Sequence, residues 1–87
     1  PEVSLNMLQA AAPALAALPG WTQETIHDTL ISLAGQLGVK NATLMWPVRI
    51  ALAGKAVTPG GAGEICHILG RDEALRRIRL GIEKLEG

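Results

Sequence analysis

A single arginine stands in an otherwise apolar part of the chain, the run Leu44-Met45-Trp46-Pro47-Val48-Arg49-Ile50-Ala51-Leu52-Ala53-Gly54-Lys55. The guanidinium of Arg49 can stack on a planar ring or donate forked hydrogen bonds to one acceptor group. Nine residues later, the turn Thr58-Pro59-Gly60 offers a hydroxyl, a flat apolar ring and backbone N–H groups. These residues could therefore bind a ligand, but each also has a purely structural interpretation. Arg49 could satisfy carbonyl groups at the end of its own helix, and Thr58-Pro59 could be a helix cap followed by the first helical residue.

The other reactive side chains match no catalytic or metal-binding motif. Cys66 and His67 are adjacent, and His27 lies forty residues away, whereas a four-coordinate metal site needs more ligands at closer spacing. We expect Cys66 to be a small buried hydrophobe. Gly54-Lys55 is followed by Ala56 instead of Ser or Thr, so it is not a P-loop. We therefore expect no catalytic residue, metal site or cofactor in this chain.

Length and composition predict one small all-α domain covering residues 1–87. The chain is 48% hydrophobic and has no Phe or Tyr, while Leu and Ala, both strong helix formers, dominate its apolar residues. The net charge is zero, which disfavours a binder that relies on bulk charge to hold nucleic acid, although a local basic site stays open. One cysteine excludes an intrachain disulfide, and no apolar run approaches the roughly 20 residues of a membrane span.

Apolar spacing and helix-ending residues predict a compact bundle of about five helices, at residues 3–18 with a kink at Pro13, 22–37, 41–53, 59–69 and 72–85. Pro13 could instead begin a second short helix. Thr22 is expected to cap the second helix and Gly38 to end it. Asn41 can cap the third helix, whose regular part would begin near Trp46 with Pro47 as its first residue.

The sequence also predicts which side chains are buried and which form ion pairs. Ile65, Ile68 and Leu69 are expected to be buried. Trp46 is expected to pack in the core or against another subdomain, with a stacking platform as the alternative. Two acid-before-base pairs, Asp72 with Arg76 and Glu73 with Arg77, have the spacing of surface ion pairs on one helix.

The order of these segments resembles the C-terminal end of bacterial-type glutamyl-tRNA synthetases. In that family a P-[LV]-R-x-A-L-x-G segment, here residues 47–54, is followed by an [ST]-P-G turn, here residues 58–60. Glu64-Ile65 and Ile68-Leu69-Gly70-Arg71 then lead into a final helix with Leu75-Arg76-Arg77-Ile78. The similarity covers roughly residues 20–86, and the preceding residues match more loosely.

The resemblance implies an α-helical anticodon-binding module. In the family, the arginine and the Thr-Pro turn help to hold the anticodon bases. The corresponding residues here are Arg49, Thr58 and Pro59. The family often has Leu two residues after that proline, where this chain has Gly61, so one apolar contact is missing. Two further basic residues are candidates for phosphate contacts, Lys55 and Arg71.

The resemblance also implies a larger enzyme around this module. The chain would be the C-terminal fragment of a cytoplasmic glutamate–tRNA ligase whose upstream catalytic domain uses ATP and magnesium. Its expected partners are tRNA-Glu, with tRNA-Gln as a further candidate, and that upstream domain, with no membrane. The alternative is a helical protein–protein docking module that binds no RNA, which would account for the zero net charge directly.

Overall fold

The structure is a computed structural model that describes residues 2–54 and 61–87. Within them the chain forms five α-helices and no strand: α1 (Glu2–Ala16), α2 (Gln23–Leu37), α3 (Asn41–Ala53), α4 (Ala62–Leu69) and α5 (Arg71–Glu86). The all-α prediction is confirmed. In this described part of the chain, no helix is both long and apolar enough to cross a bilayer.

Local sequence signals account for the limits of α2. The Thr22 hydroxyl accepts the backbone N–H of Thr25, and the Thr25 hydroxyl accepts the backbone N–H of Thr22, so each residue satisfies one amide of the first turn. At the other end Gly38 adopts a left-handed conformation with φ 71°. Both predicted ends of this helix are confirmed.

Pro13 and Pro47 each lie inside a single helix, as predicted for Pro13 and contrary to the expectation for Pro47. α1 is one helix through Pro13 and ends at Ala16, so a second helix does not begin there and residues 17 and 18 are not helical. α3 likewise runs through Pro47, and its N-cap is Lys40, so neither Asn41 as cap nor Pro47 as first residue is correct. Pro47 is buried, and the apolar contact of its ring offsets the backbone hydrogen bond that proline cannot donate.

The fourth helix is shorter than expected. α4 begins at Ala62 with Gly61 as its N-cap, so the expected start at residue 59 is wrong. The glycines around this point explain the difference, because each one weakens a helix by about 1 kcal/mol relative to Ala. The last helix gains one residue at each end over the predicted 72–85.

Every helix contributes to one core. α1 and α5 pack antiparallel over the longest interface, while α3 contacts each of the other four helices. The largest fully buried side chains come from all five helices: Leu15, Ile26, Leu30, Leu44, Val48, Leu52, Cys66 and Ile78. Ile68 is 74% exposed, so its expected burial is wrong. On the short α4, the small residues Ala62, Gly63 and Cys66 occupy the inner face instead.

Candidate nucleic-acid interface

The helix that carries Arg49 has one buried face and one exposed face. Leu44, Val48 and Leu52 are at most 1% exposed and lie in the core. The other side, which we name the outer face of α3, consists of Trp46, Arg49, Ile50 and Ala53. These positions are three, four and seven residues apart, so their side chains are neighbours on the helix surface.

The indole of Trp46 is the largest apolar group on the outer face of α3. Its 52% exposure excludes the expected core position, and contact with another domain stays a prediction. Ile50 is 38% exposed, and Arg49 is partly buried beside them. An exposed aromatic ring can hold a planar ligand by stacking, and an arginine on the same face of the helix can donate hydrogen bonds to the edge of that ligand.

The end of α3 is held by two hydrogen bonds to its last carbonyl groups. Gly54, with φ 77°, donates its N–H to the carbonyl oxygen of Ile50 over 2.7 Å. Nη1 of Arg77 on α5 donates to the carbonyl oxygen of Leu52, also over 2.7 Å. One structural interpretation of Arg49 was that it satisfies carbonyl groups at the end of its own helix. Two of those carbonyls, of Ile50 and Leu52, accept hydrogen bonds from Gly54 and Arg77.

Gly61 lies at the start of α4 in an extended conformation, with φ −79° and ψ 171°. A Cβ atom added there would meet nothing within 4 Å. Neither the backbone conformation nor the described surroundings of the added Cβ therefore require glycine at this position. Lys55, Thr58 and Pro59 lie outside the described residues, so their expected roles stay predictions.

Arg71 is engaged within the fold. Its Nη2 donates to the carbonyl oxygen of Leu18 over 2.6 Å, and its guanidinium carbon lies 5.4 Å from the centre of the Trp21 ring. Nε1 of Trp21 in turn donates to the carbonyl oxygen of Cys66 over 2.9 Å. These contacts join the α1–α2 connection to α4 and α5. The expected phosphate contact of Arg71 stays a prediction.

The ion pairs of α5 centre on one carboxylate. Glu73 accepts both Arg76 and Arg77, with shortest N–O distances of 2.7 Å, so the expected pair with Arg77 is confirmed, while Arg76 pairs with Glu73 instead of Asp72. Hydrogen bonds from Arg76 and then Arg77 lower the pKa of Glu73 to about 2.

The remaining chemically reactive groups are not assembled into a site. Burial raises the pKa of the Cys66 thiol to about 12, as fits a side chain that packs as a hydrophobe. Among residues 2–54 and 61–87, no three His, Cys, Asp or Glu side chains lie close enough together to hold a metal ion.

The charges of the chain are segregated along the sequence although they sum to zero. Residues 1–28 carry three acidic and no basic side chains, and residues 29–63 carry three basic side chains, Lys40, Arg49 and Lys55, and no acidic one. Residues 64–87 carry five of each sign. The segment that contains the outer face of α3 is therefore locally basic.

Comparison with known protein families identifies the family of this chain. Residues 1–82 match the family described as "Anticodon binding domain". The chain belongs to this anticodon-binding domain family. The match covers all the helices except the last turns of α5, and it confirms the resemblance seen in the sequence.

Individual relatives of this anticodon-binding domain are glutamate–tRNA ligases. The chain is 54% identical over 86 residues to the glutamate–tRNA ligase of Clostridium novyi, and 49% identical over 85 residues to that of Clostridium tetani. Each match covers 98–99% of the chain and 17–18% of the relative. The chain thus spans less than a fifth of the length of these ligases.

The sequence analysis misplaced one residue of the anticodon-binding domain and missed another. Trp46 was expected in the core or at a subdomain contact, with a stacking platform as the alternative, but one unbroken helix over 41–53 places it opposite Leu44, Val48 and Leu52, and that geometry was available from the spacing. The contact of Arg77 with the end of α3 had no signal in the sequence, because it joins residues 25 positions apart.

Proposed function

We propose that this domain binds the anticodon loop of tRNA-Glu as the C-terminal module of a cytoplasmic, bacterial-type glutamate–tRNA ligase. An upstream catalytic domain, using ATP and magnesium, would attach glutamate to the tRNA. The observation that carries the proposal is the outer face of α3, where an exposed indole lies beside Arg49 in a segment without acidic residues. The similarity to glutamate–tRNA ligases supports it.

The chemistry of the outer face of α3 suits unpaired bases. Anticodon bases are single-stranded and expose both their flat faces and their Watson–Crick edges. In the proposed complex, the indole of Trp46 stacks on one base, and the guanidinium of Arg49 donates hydrogen bonds to a base edge or a phosphate. Thr58 and Pro59 complete the contact surface, with Lys55 and Arg71 near phosphates.

A binding assay with an anticodon stem-loop tests the proposal. The stem-loop of tRNA-Glu is titrated with the chain, with a scrambled loop as the reference and the stem-loop of tRNA-Gln as a further arm. Arg49→Ala is expected to lower affinity by about 5- to 150-fold, which corresponds to the roughly 1–3 kcal/mol of one good base contact. Trp46→Ala is expected to lose a similar amount, since stacking of one base contributes about 1–3 kcal/mol.

Arg79→Ala is the matched control, because it removes the same charge from an exposed position on α5. It is expected to bind almost as well as the unmodified chain. If Arg49→Ala folds normally and binds with unchanged affinity, the proposed site is wrong.

Salt dependence separates RNA binding from the docking alternative. Three basic residues contacting phosphates predict a slope of about −2 for the logarithm of the binding constant against the logarithm of salt concentration, at roughly 0.7 per phosphate for a single strand. A protein-docking surface that binds no RNA would give no measurable complex with the stem-loop at any salt concentration.

A further inference from the structure

One arginine of α5 connects two features of the fold that lie far apart in sequence. Arg77 donates from Nε to Oε2 of Glu73 over 2.7 Å, and from Nη1 to the carbonyl oxygen of Leu52 over 2.7 Å. Glu73 lies one turn earlier on α5, and Leu52 lies in the last turn of α3. The guanidinium therefore bridges a carboxylate on α5 and the backbone of α3.

This bridge acts on a part of α3 that has few other constraints. The last four carbonyl groups of a helix have no partner within it, and helix ends open more readily than helix centres. Leu52 lies three residues after Arg49, on the neighbouring turn. A hydrogen bond that ties this turn to α5 also restricts the position of the Arg49 backbone.

The carboxylate makes the bridge more rigid. Arginine loses much side-chain entropy when one geometry is imposed on it, and a second fixed contact reduces the freedom that remains. Because Glu73 holds Nε, the guanidinium is already oriented when Nη1 meets the carbonyl of Leu52. The side chain of Arg77 is 38% exposed, so solvent only partly competes for these hydrogen bonds.

We infer that Arg77 is a positioning residue for RNA binding: it holds the last turn of α3 so that Arg49 and Trp46 keep the geometry that a base requires. This inference rests on the proposed function, since it assigns Arg77 a role in the same site. Arg77 acts through the backbone of α3 and does not itself touch the RNA.

Arg76 provides a matched control. It is the neighbouring arginine, it carries the same charge, and it pairs with the same carboxylate of Glu73. Its contacts with Glu73 stay within α5, whereas Arg77 also reaches α3. The two substitutions Arg76→Ala and Arg77→Ala therefore differ chiefly in the loss of the bridge to Leu52.

The test is a double-mutant cycle on affinity for the tRNA-Glu anticodon stem-loop. We expect Arg77→Ala to weaken binding by about 3- to 10-fold, the equivalent of one ordinary hydrogen bond, and Arg76→Ala by less than about twofold. In the double variant Arg49→Ala/Arg77→Ala, the loss should be smaller than the product of the two single losses, because a misplaced Arg49 has less binding left to lose. A role in global stability alone would not produce this coupling in chains that remain folded.

The salt slope separates positioning from direct contact with RNA. Because Arg49 is itself one of the proposed phosphate contacts, the comparison is made in the Arg49→Ala chain: if Arg77 touched a phosphate, adding Arg77→Ala would reduce the slope by about 0.7, whereas a positioning role leaves it unchanged. Should Arg77→Ala fail to fold, Arg77→Lys replaces it: lysine keeps the charge but lacks the fork that holds both acceptors, so the same direction of change is expected.

Each result is decisive. The inference is overturned if Arg77→Ala binds like Arg76→Ala, if the losses of Arg49→Ala and Arg77→Ala simply multiply, or if adding Arg77→Ala to Arg49→Ala lowers the salt slope. A failure of the proposed function has a different signature, because Arg49→Ala would then bind like the unmodified chain, or the chain would not bind the stem-loop at all.

Discussion

Replacing Gly63 with Ala is expected to destabilise the fold, while the same change at Gly35 stabilises it. Gly63 lies where α4 approaches the start of α2, and an added Cβ would be 3.1 Å from the backbone oxygen of Gln23 and 3.4 Å from Cβ of His27. The clash with Gln23 involves backbone, so no rotation of a side chain relieves it. At Gly35 the added Cβ would meet nothing within 4 Å.

Both substitutions gain helix propensity, which stabilises the fold, but only Gly63→Ala also introduces a steric cost. Both replace a glycine in a terminal turn of a helix, and Ala is favoured over Gly there by about 0.5–1 kcal/mol. Gly63→Ala adds the cost of overpacking, about 1–3 kcal/mol. The difference in unfolding free energy between the two variants is therefore about 1–3 kcal/mol.

Urea and thermal unfolding followed by circular dichroism measure this difference. In a domain of this size each kcal/mol corresponds to roughly 4–8 °C in melting temperature. Equal m-values for the variants would show that the change lies in stability and not in the unfolded state. A Gly63→Ala variant as stable as Gly35→Ala would refute the argument that the backbones of α2 and α4 leave no room for a methyl group.

Three further predictions follow from polar groups of the fold. Trp21→Phe removes the donor to the Cys66 carbonyl and is expected to cost about 0.5–1.5 kcal/mol in urea unfolding, more than Trp46→Phe on the surface. Burial raises the pKa of the Cys66 thiol to about 12, so this thiol is expected to resist alkylation at about pH 8 until urea unfolds the chain. Rapid labelling of the native chain would contradict its burial. The pKa of Glu73 is lowered from 4.5 to about 2, so its ion pairs stabilise the fold above about pH 4.5 and lose this effect as pH falls toward 2. Glu73→Gln should therefore lose less stability over that range than the unmodified chain, and an equal acid-induced loss in both would count against the pairing.

The sequence predicted the fold class and the ends of α2 because those features depend on neighbours along the chain. Thr22 and Gly38 act within one turn of the helix that they cap, and composition alone favoured helices. The predictions for the start of α4 and for the burial of Ile68 were wrong for a different reason. These two features depend on which other helices lie nearby, and apolar periodicity does not contain that information.

The same distinction, between features set by the local sequence and features set by helix packing, applies to the candidate site. Arg49 and Gly61 could be selected from their order and spacing in the motif. The exposure of Trp46 was obscured by Pro47, since a helix assumed to begin at the proline places the indole before the helix instead of on its outer face. The bridge from Arg77 to Leu52 requires α5 to pack against α3, so only the three-dimensional structure could provide it.

Zero net charge and RNA binding are compatible in this chain because its charges are not mixed evenly. An acidic side chain close to the outer face of α3 would repel phosphates; residues 29–63 contain none, and Glu73, which Arg77 holds near the end of α3, is paired with two arginines. The acidic residues of 1–28 and the paired charges of 64–87 balance the total without entering this segment. Screening limits their influence to about 8–10 Å at physiological salt, so the local charge at the site, and not the total, governs the attraction felt by a bound phosphate. The zero net charge is therefore no argument for a docking module, and the measured salt slope should follow the number of basic residues that contact phosphates.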